Sequence, residues 1–368
     1  MQKPTVVDLF SGCGGFGLGA ELAGFHSVAA IDIESKLLSS YRLNFPSTNT
    51  VTADISKLDA NSWKSLLPDL AIDGVIGGPP CQGFSRIGKS DPKDPRRTLL
   101  FHFFRTVNIL QPTFFLMENV EGLLDENNRP LLDAGIDKLD KGYELLPPIV
   151  VDASVMGAPT RRRRVFLYGY NPQKVDPLTC EDFRIERPLV NVKQAIADVS
   201  VTVSKCRGGD YGWAKYRVGH SKYAKKMRST SCDLVIPHAF CEALSKRRFS
   251  GAFETVHTQD VIERFASTLP GETEPVSRYP RLSWDGQCPT LRAGTGSDRG
   301  NFQAVRPIHP EEPRVITVRE AARLQGFPDW FQFHPTKHHS FRMIGNSVSP
   351  VVAEEVLSVI KQRLVKAA

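Results

Sequence analysis

Several features are missing from this chain. No continuous apolar run reaches the roughly 18 residues that a membrane-spanning helix needs, so no helical span is expected. The opening Met1-Gln2-Lys3-Pro4 leads straight into a strand pattern, without the successive zones of a signal peptide. Cysteine is scarce: the seven residues are odd in number and lack paired spacing, which argues against a disulfide framework and for reduced thiols in a cytoplasmic protein. There is no Walker Gly-Lys-Ser/Thr, and no lysine follows the Gly-rich turn near the start to hold a pyrophosphate. Internal repeats and a low-complexity tail are also lacking.

What is present fits a globular protein. The 368 residues, 41% hydrophobic and 24% charged, suffice for one large domain and a smaller one. The net charge of +7 is a weak pointer to nucleic acid, but its distribution says more. Arg161 to Arg164 form one basic block, Lys215 to Arg228 a second and Lys246-Arg247-Arg248 a third, with Trp213, Tyr216 and Tyr223 interleaved. Any one block reads as a solvated face. Three in mid-chain, mixed with aromatics, suit a phosphate-binding surface equally well.

The first 170 residues alternate short apolar runs with helical patterns. Strands are predicted at Thr5–Phe10, His26–Ile31, Thr50–Ala53, Ile72–Ile76, Phe114–Met117 and Val165–Tyr168. Helices are predicted from Phe16, Glu34 and Arg97. This alternation implies an α/β fold with a parallel sheet covered on both faces. From about 188 to 313 the pattern breaks into short strands rich in Gly, Pro, Ser and charge, the mark of a second, irregular domain. A capped helix returns at Thr317–Gln325, stopped by Gly326-Phe327-Pro328, and a last helix starts near Pro350.

Two places carry chemistry. The strand before Gly78 stops at Gly78-Pro79-Pro80-Cys81-Gln82-Gly83-Phe84-Ser85, where two prolines stiffen the chain and end the ladder. A thiol at a strand end in a rigid loop is where an α/β protein displays a reactive group, although a lone Cys is more often a small buried hydrophobe. The other place is Asp8-Leu9-Phe10-Ser11-Gly12-Cys13-Gly14-Gly15-Phe16-Gly17, a strand, a Gly-rich turn and a helix start. Such a turn lets backbone N–H groups approach a ligand. Asp32 ends the second strand, where an acid can accept both ribose hydroxyls. Asp54 ends the third, where it can accept from an adenine amino group. Acids at both ends, without a phosphate lysine, suit a nucleoside cofactor lacking phosphates, such as S-adenosylmethionine. Their alternative role is helix capping.

With these stretches in hand, the chain resembles the DNA (cytosine-5)-methyltransferases of bacterial and phage type. The likeness rests on Asp8–Gly17, Gly78–Ser85, Met117-Glu118-Asn119-Val120, Pro159–Phe166, Arg319–Pro328 and Arg342-Met343-Ile344-Gly345-Asn346-Ser347-Val348, which come in the family's order. Only about 190–285 has no clear counterpart. The resemblance implies a Rossmann-like methyltransferase sheet built from 1–189 and 338–368. It also implies a smaller target-recognition domain at 190–310 and a hinge or connecting segment at 311–337.

The resemblance also implies roles. Cys81 would add to carbon 6 of a flipped cytosine, making carbon 5 nucleophilic toward a methyl sulfonium. Glu118 would hold a proton at the base's N3, with Asn119 supporting the loop. Arg162 and Arg164 match the family's Gln-x-Arg-x-Arg element, near the base and its phosphate; Thr160 stands where the family has Gln, and Arg161 and Arg163 are extra. Phe10, Ser11, Gly12, Gly15, Asp32, Ile33, Asp54, Ile55, Pro80, Leu100, Asn346 and Val348 would contact S-adenosylmethionine. Residues Gln82 to Thr98 read as a lid, with Gln82, Ser85, Arg86 and Lys89 as DNA contacts. Thr290, in a Thr-Leu element ending the recognition region, is a further DNA contact. The implied partners are double-stranded DNA and a separately acting restriction endonuclease. A monomer on DNA, cytoplasmic and nucleoid-associated, is expected. No metal site is expected: Cys206, Cys232, His238 and Cys241 match no common zinc spacing.

Three other readings compete. A dinucleotide oxidoreductase would explain the glycines but not Pro80-Cys81-Gln82 or Glu118-Asn119-Val120. Methylation of cytosine in tRNA would use the same chemistry. A binding-only regulator is opposed by the joint presence of Cys81, Glu118 and Arg164.

Overall fold

The short apolar runs of the first half, rich in β-branched and aromatic residues and closed by Gly, Pro or Asp, become the strands of one sheet. A computed structural model describes residues 3–68, 71–80, 95–204, 211–219, 221–230, 236, 238–293 and 306–364. Its first half runs β1 (Thr5–Leu9), α1 (Gly15–Leu22), β2 (His26–Asp32), α2 (Ser35–Asn44), β3 (Asn49–Thr52), α3 (Ala60–Leu66), β4 (Gly74–Gly77), α4 (Leu99–Leu110), β5 (Phe114–Asn119) and α5 (Arg129–Ile136). Then come β6 (Glu144–Leu145), β7 (Ile149–Asp152), β8 (Thr160–Arg161) and β9 (Arg163–Tyr170). The sheet order is β3-β2-β1-β4-β5-β9-β6, with β7 also on β9. Strands β3 to β5 are mutually parallel.

The sheet is parallel, as expected, except at one edge. Strand β9 runs antiparallel to β5, β6 and β7. Strands β7 and β9 are joined within one short stretch of chain, too short for a crossover, so they can pair only antiparallel.

Period-two alternation sorts the side chains between the faces. On β5, Phe114 and Leu116 enter the core shared with α1 and α12, while Phe115 and Met117 enter the core under α3, α4 and α5. Glu118 continues the first row and Asn119 the second. The same rule divides the four arginines. Phe166 and Tyr168 lie on the Leu116 face, so Arg164 and Arg162, two and four residues earlier, point the same way. Arg163 turns outward to Glu121 at 2.9 Å.

The second half carries short elements: α6 (Val192–Ile196), β10 (Ala214–Lys215), α7 (Lys222–Arg228), α8 (His238–Ser245), β11 (Arg248–Phe249), α9 (Gln259–Ser267) and β12 (Cys288–Pro289). Three longer helices follow: α10 (Val318–Gln325), α11 (Lys337–Asn346) and α12 (Pro350–Arg363). Val192, Ile196, Tyr223 and Phe249 share one continuous core with α1 and α12. A Cβ on Gly19 would overlap Ala353, so α1 and α12 touch at backbone distance. An 18-residue window within 337–363 reaches a mean hydropathy of 1.3. That stretch is two helices broken at Ser347-Val348-Ser349, and 72% of the window is buried inside the protein, so its apolarity is that of a core.

Within 311–337, the expected hinge or connecting segment, all eight residues of α10 are buried. Thr317 and Glu320 form a capping box. Arg314 meets Glu320 through two bonds of 2.9 Å. Arg323 bonds Asp329 twice at 2.6 Å, Asp198 at 3.2 and 3.3 Å and the Ala195 carbonyl at 2.9 Å. Arg319 donates to Ser250, Pro328 and Phe331. Buried charge is tolerable only when satisfied in this way. The result joins α10 to α6 and to the strand end at Ser250.

Candidate active site

The strand order reverses direction between β1 and β4, and a crevice opens there beyond the carboxyl ends of the strands, as expected for a sheet of this type. It is a cleft of about 740 Å³, within the usual range for small-ligand sites. One wall is Phe10, Ser11, Gly12 and Gly15, between β1 and α1. Phe10 has φ 54 and Gly12 φ 55; a left-handed conformation at a non-glycine residue stores strain and is typical of ligand sites. The β2 end supplies Asp32, Ile33 and Glu34, and the β3 end supplies Ala53, Asp54 and Ile55. From β4 come Gly78, Pro79 and Pro80, from β5 Glu118, and from the β8–β9 strand Arg162 and Arg164. Arg342 and residues 345–348 close the far side.

Asp32 accepts the Gly12 N–H at 2.9 Å and the Glu34 N–H at 2.8 Å. Burial raises its pKa, and these two bonds and Arg342 oppose the rise. Asp54 accepts the Ser56 N–H at 3.0 Å, and the bonds from Ser56 hold it below the usual carboxylate range. Both acids thus do cap the following turn and also line the cleft. Three arginines in the cleft wall are engaged within the chain: Arg162 with the Leu291 and Gly345 carbonyls at 3.3 and 3.1 Å, Arg164 with Glu118, and Arg342 with Glu34. Acids at two strand ends and arginines already partnered suit a nucleoside cofactor without phosphates better than a dinucleotide.

Glu118 and Arg164 form the polar centre of the opposite end. Arg164 Nε lies 2.9 Å from Glu118 Oε1, yet its N–H is not aligned on that oxygen, which is buried and takes no hydrogen bond among the described residues. Glu118 is 8% exposed. A Cβ on Gly78 would sit 3.3 Å from Glu118 Oε2, so the carboxyl stands directly over the β4 exit. Asn119 donates to the Pro79 carbonyl at 3.2 Å and accepts the Val120 N–H at 2.9 Å, tying the Pro-Pro turn to β5.

The structure therefore brings Phe10, Ser11, Gly12, Gly15, Asp32, Ile33, Asp54, Ile55, Pro80, Glu118, Arg162, Arg164, Asn346 and Val348 into one cleft. Leu100 is a correction. It is 1% exposed and packs in the core beside Phe103 and Phe104, and α4 presents Leu99 and His102 to the cleft instead. Thr290 lies outside the cleft, and its hydroxyl donates to the Arg161 carbonyl at 2.7 Å. Cys81, Gln82, Ser85, Arg86 and Lys89 lie outside the described residues, as do Cys206 and Cys232.

Sequence reasoning missed Asp8, Glu34, His102 and Arg342. Asp8 lines the cleft floor; burial pushes its pKa up to about 8, and its Oδ1 takes no hydrogen bond among the described residues. His102 is held below its ordinary pKa by burial and then by Arg105. The signals were present, since Glu34 follows Asp32-Ile33 and Arg342 opens a segment already singled out. Cys13 shows how unlike a nucleophile a buried thiol is: burial pushes it up to about 12.

Comparison with known proteins agrees with this geometry. A family profile described as C-5 cytosine-specific DNA methylase matches residues 4–362. The Type II methyltransferase M.XorII of Xanthomonas oryzae pv. oryzae is 40% identical over 371 residues, covering 100% of this chain and 86% of the relative. M.DdeI of Desulfomicrobium norvegicum is 33% identical over 388 residues, covering 95% and 86%. A solved E. coli structure, described as a prophage-encoded DNA modification methyltransferase, superposes with a TM-score of 0.88 at 40% identity, covering 98% of this chain and 99% of that one. The Dnmt2 methyltransferase of S. pombe, at 18% identity over 98% and 99% of the two chains, has a TM-score of 0.63 and shares the fold. A crevice at the switch point, a Glu-Arg pair beside a Pro-Pro turn and a match from residue 4 to residue 362 lead to one conclusion: the chain belongs to the C-5 cytosine-specific DNA methylase family.

Proposed function

We propose that this enzyme methylates carbon 5 of cytosine within a specific double-stranded DNA sequence, with S-adenosylmethionine as methyl donor and Cys81 as covalent nucleophile. The observation that carries the reading is the Glu118–Arg164 pair, nearly buried over the turn that leads from Pro80 into Cys81. When bound, S-adenosylmethionine supplies an electrophilic methyl group on a sulfonium. Asp32 and Asp54 would hold its ribose and adenine, with Phe10 against the ring, and Asn346 and Val348 would close the methionine end.

The chain's own part follows from its residues. The Cys81 thiolate forms a bond to carbon 6 of a base flipped from the duplex. Glu118 delivers a proton to N3, so the adduct is a neutral enamine whose carbon 5 is nucleophilic rather than a ring anion. Arg164 keeps that carboxyl in place, and Asn119 keeps the Pro79 turn in register. After methylation carbon 5 gives its proton to solvent water in this reading, the carbon–sulfur bond breaks with its electron pair returning to sulfur as thiolate, and N3 returns its proton to Glu118.

The basic and aromatic residues of 190–310 would read the target, and the Type II relatives suggest a restriction endonuclease acting separately on the same sequence. A duplex carrying 5-fluorocytosine tests the chemistry, because fluorine cannot leave as a proton does. A covalent protein–DNA adduct that maps to Cys81 and vanishes in Cys81→Ser is expected. An enzyme that methylates DNA yet forms no adduct refutes addition at carbon 6.

A further inference from the structure

We propose that Glu34 and Arg342 are positioning residues of the cofactor site, which hold Asp32 in place through a chain of bonds that joins β1, β2 and α11. The proposal rests on the reading of the cleft as an S-adenosylmethionine site. The links are short and continuous. The Gly12 N–H donates to Asp32 Oδ2 at 2.9 Å, and the Glu34 N–H donates to Asp32 Oδ1 at 2.8 Å. The Glu34 side chain then accepts from Arg342 Nη2 at 2.8 Å. Arg342 stands one helical turn before Asn346, so the residue that anchors Glu34 and the residue at the methionine end share one face of α11.

An ordinary surface ion pair would contribute little and could be removed without consequence for a ligand. This pair differs in two ways. Both residues line the cleft, and both charges act on Asp32: Glu34 adds to the rise in its pKa that burial causes, and Arg342 opposes it. Apart from Glu34 and Arg342, the ionisable groups that interact with Asp32 are Asp8 and Cys13 on the β1 side. They titrate equally in wild type and variants and cancel in the comparison. Asp32 must be ionised to accept two hydroxyls, so a cation fixed beside it widens the pH range over which the cofactor binds.

The test is calorimetric titration of the full chain with S-adenosylhomocysteine, between about pH 6 and about pH 8. The proteins are wild type, Arg342→Gln, Arg342→Lys and Glu34→Gln. Arg342→Gln should bind on the order of tenfold more weakly, and the deficit should grow as pH falls, because Asp32 without its neighbouring cation protonates more readily. Arg342→Lys, which keeps the charge, should recover most of the loss at low pH. Glu34 is the more exposed partner, with a side chain 42% accessible, so Glu34→Gln decides the matter if Arg342→Gln does not fold: it should bind more weakly at the upper pH through the loosened Arg342, with a deficit that shrinks as pH falls, because a like charge beside Asp32 is lost. Wild-type affinity in the variants at every pH overturns the proposal. So does a uniform loss with an unchanged pH profile, which is the mark of a merely structural staple. A wild-type chain that binds no S-adenosylhomocysteine refutes the cofactor reading itself.

Discussion

Gly15→Ala should narrow the cofactor cleft with little harm to the fold. Gly15 opens α1 against the segment that closes the cleft on the far side. The added Cβ would lie 2.5 Å from the Val348 carbonyl oxygen and 2.8 Å from the Ser347 Cβ. Ordinary contacts begin at 3.4 Å, so the two segments must part by roughly 0.9 Å, the difference from 2.5 Å. Residue 347 cannot simply retreat: Gln325 donates to its carbonyl at 2.8 Å, and its hydroxyl bonds the Met343 carbonyl at 2.7 Å. The strain falls on Asn346 and Val348, the cleft wall. Overpacking of this kind costs about 1–3 kcal/mol, offset by up to about 1 kcal/mol from the better helix propensity of Ala. A net loss of about 0–3 kcal/mol should appear in urea unfolding. A wall displaced by nearly an ångström should weaken S-adenosylhomocysteine binding on the order of tenfold to a hundredfold. Calorimetric affinity within about twofold of wild type, together with unchanged unfolding, would refute the idea that this contact sets the width of the cleft.

Asn119→Ala removes the bond to the Pro79 carbonyl and should cost about 1 kcal/mol of stability. It should lower single-turnover methylation about tenfold while cofactor affinity stays within about twofold; loss of affinity with normal turnover would place Asn119 on the wrong side of the site. Asp8→Asn tests the buried carboxyl at the cleft floor. Its pKa is about 8 in the fold against 3.8 ordinarily, so the folded state keeps a proton that the unfolded chain releases. Wild-type stability from this group therefore falls as pH rises between about 4 and about 8 and levels off above that. The variant should lose this slope in urea unfolding followed against pH, and equal slopes would show that Asp8 is not held neutral.

The parallel part of the sheet was legible because each strand is a short apolar run stopped by Gly, Pro or Asp. So was most of the cleft: Phe10, Asp32 and Asp54 all stand at strand ends, and a doubly wound sheet gathers such ends in one place. The antiparallel strand β9 was not legible, because its run from Val165 to Tyr168 reads the same in either direction. Leu100 was misplaced by one helical step, which no sequence pattern resolves in an apolar helix such as Leu99–Leu110. The buried role of 311–337 was hidden by its charges. Arg314, Arg319, Glu320 and Arg323 read as surface residues until their partners Asp198, Ser250 and Asp329 are brought to them by the fold.

Those partners bear on how target preference can be exchanged between relatives. The ion clusters around α10 cross the seam of any transplant that takes 190–310 as its unit. Asp198 and Ser250 would travel with the graft, while Arg319, Arg323 and Asp329 would stay with the host. A graft whose incoming residues do not match strands guanidinium groups in a dry interior, where an unmatched ion is far more damaging than a lost surface contact. On the proposed reading of 190–310 as the recognition unit, taking up a new DNA sequence and keeping a sound interior are one inheritance, and a graft that respects it carries residues 314–329 along.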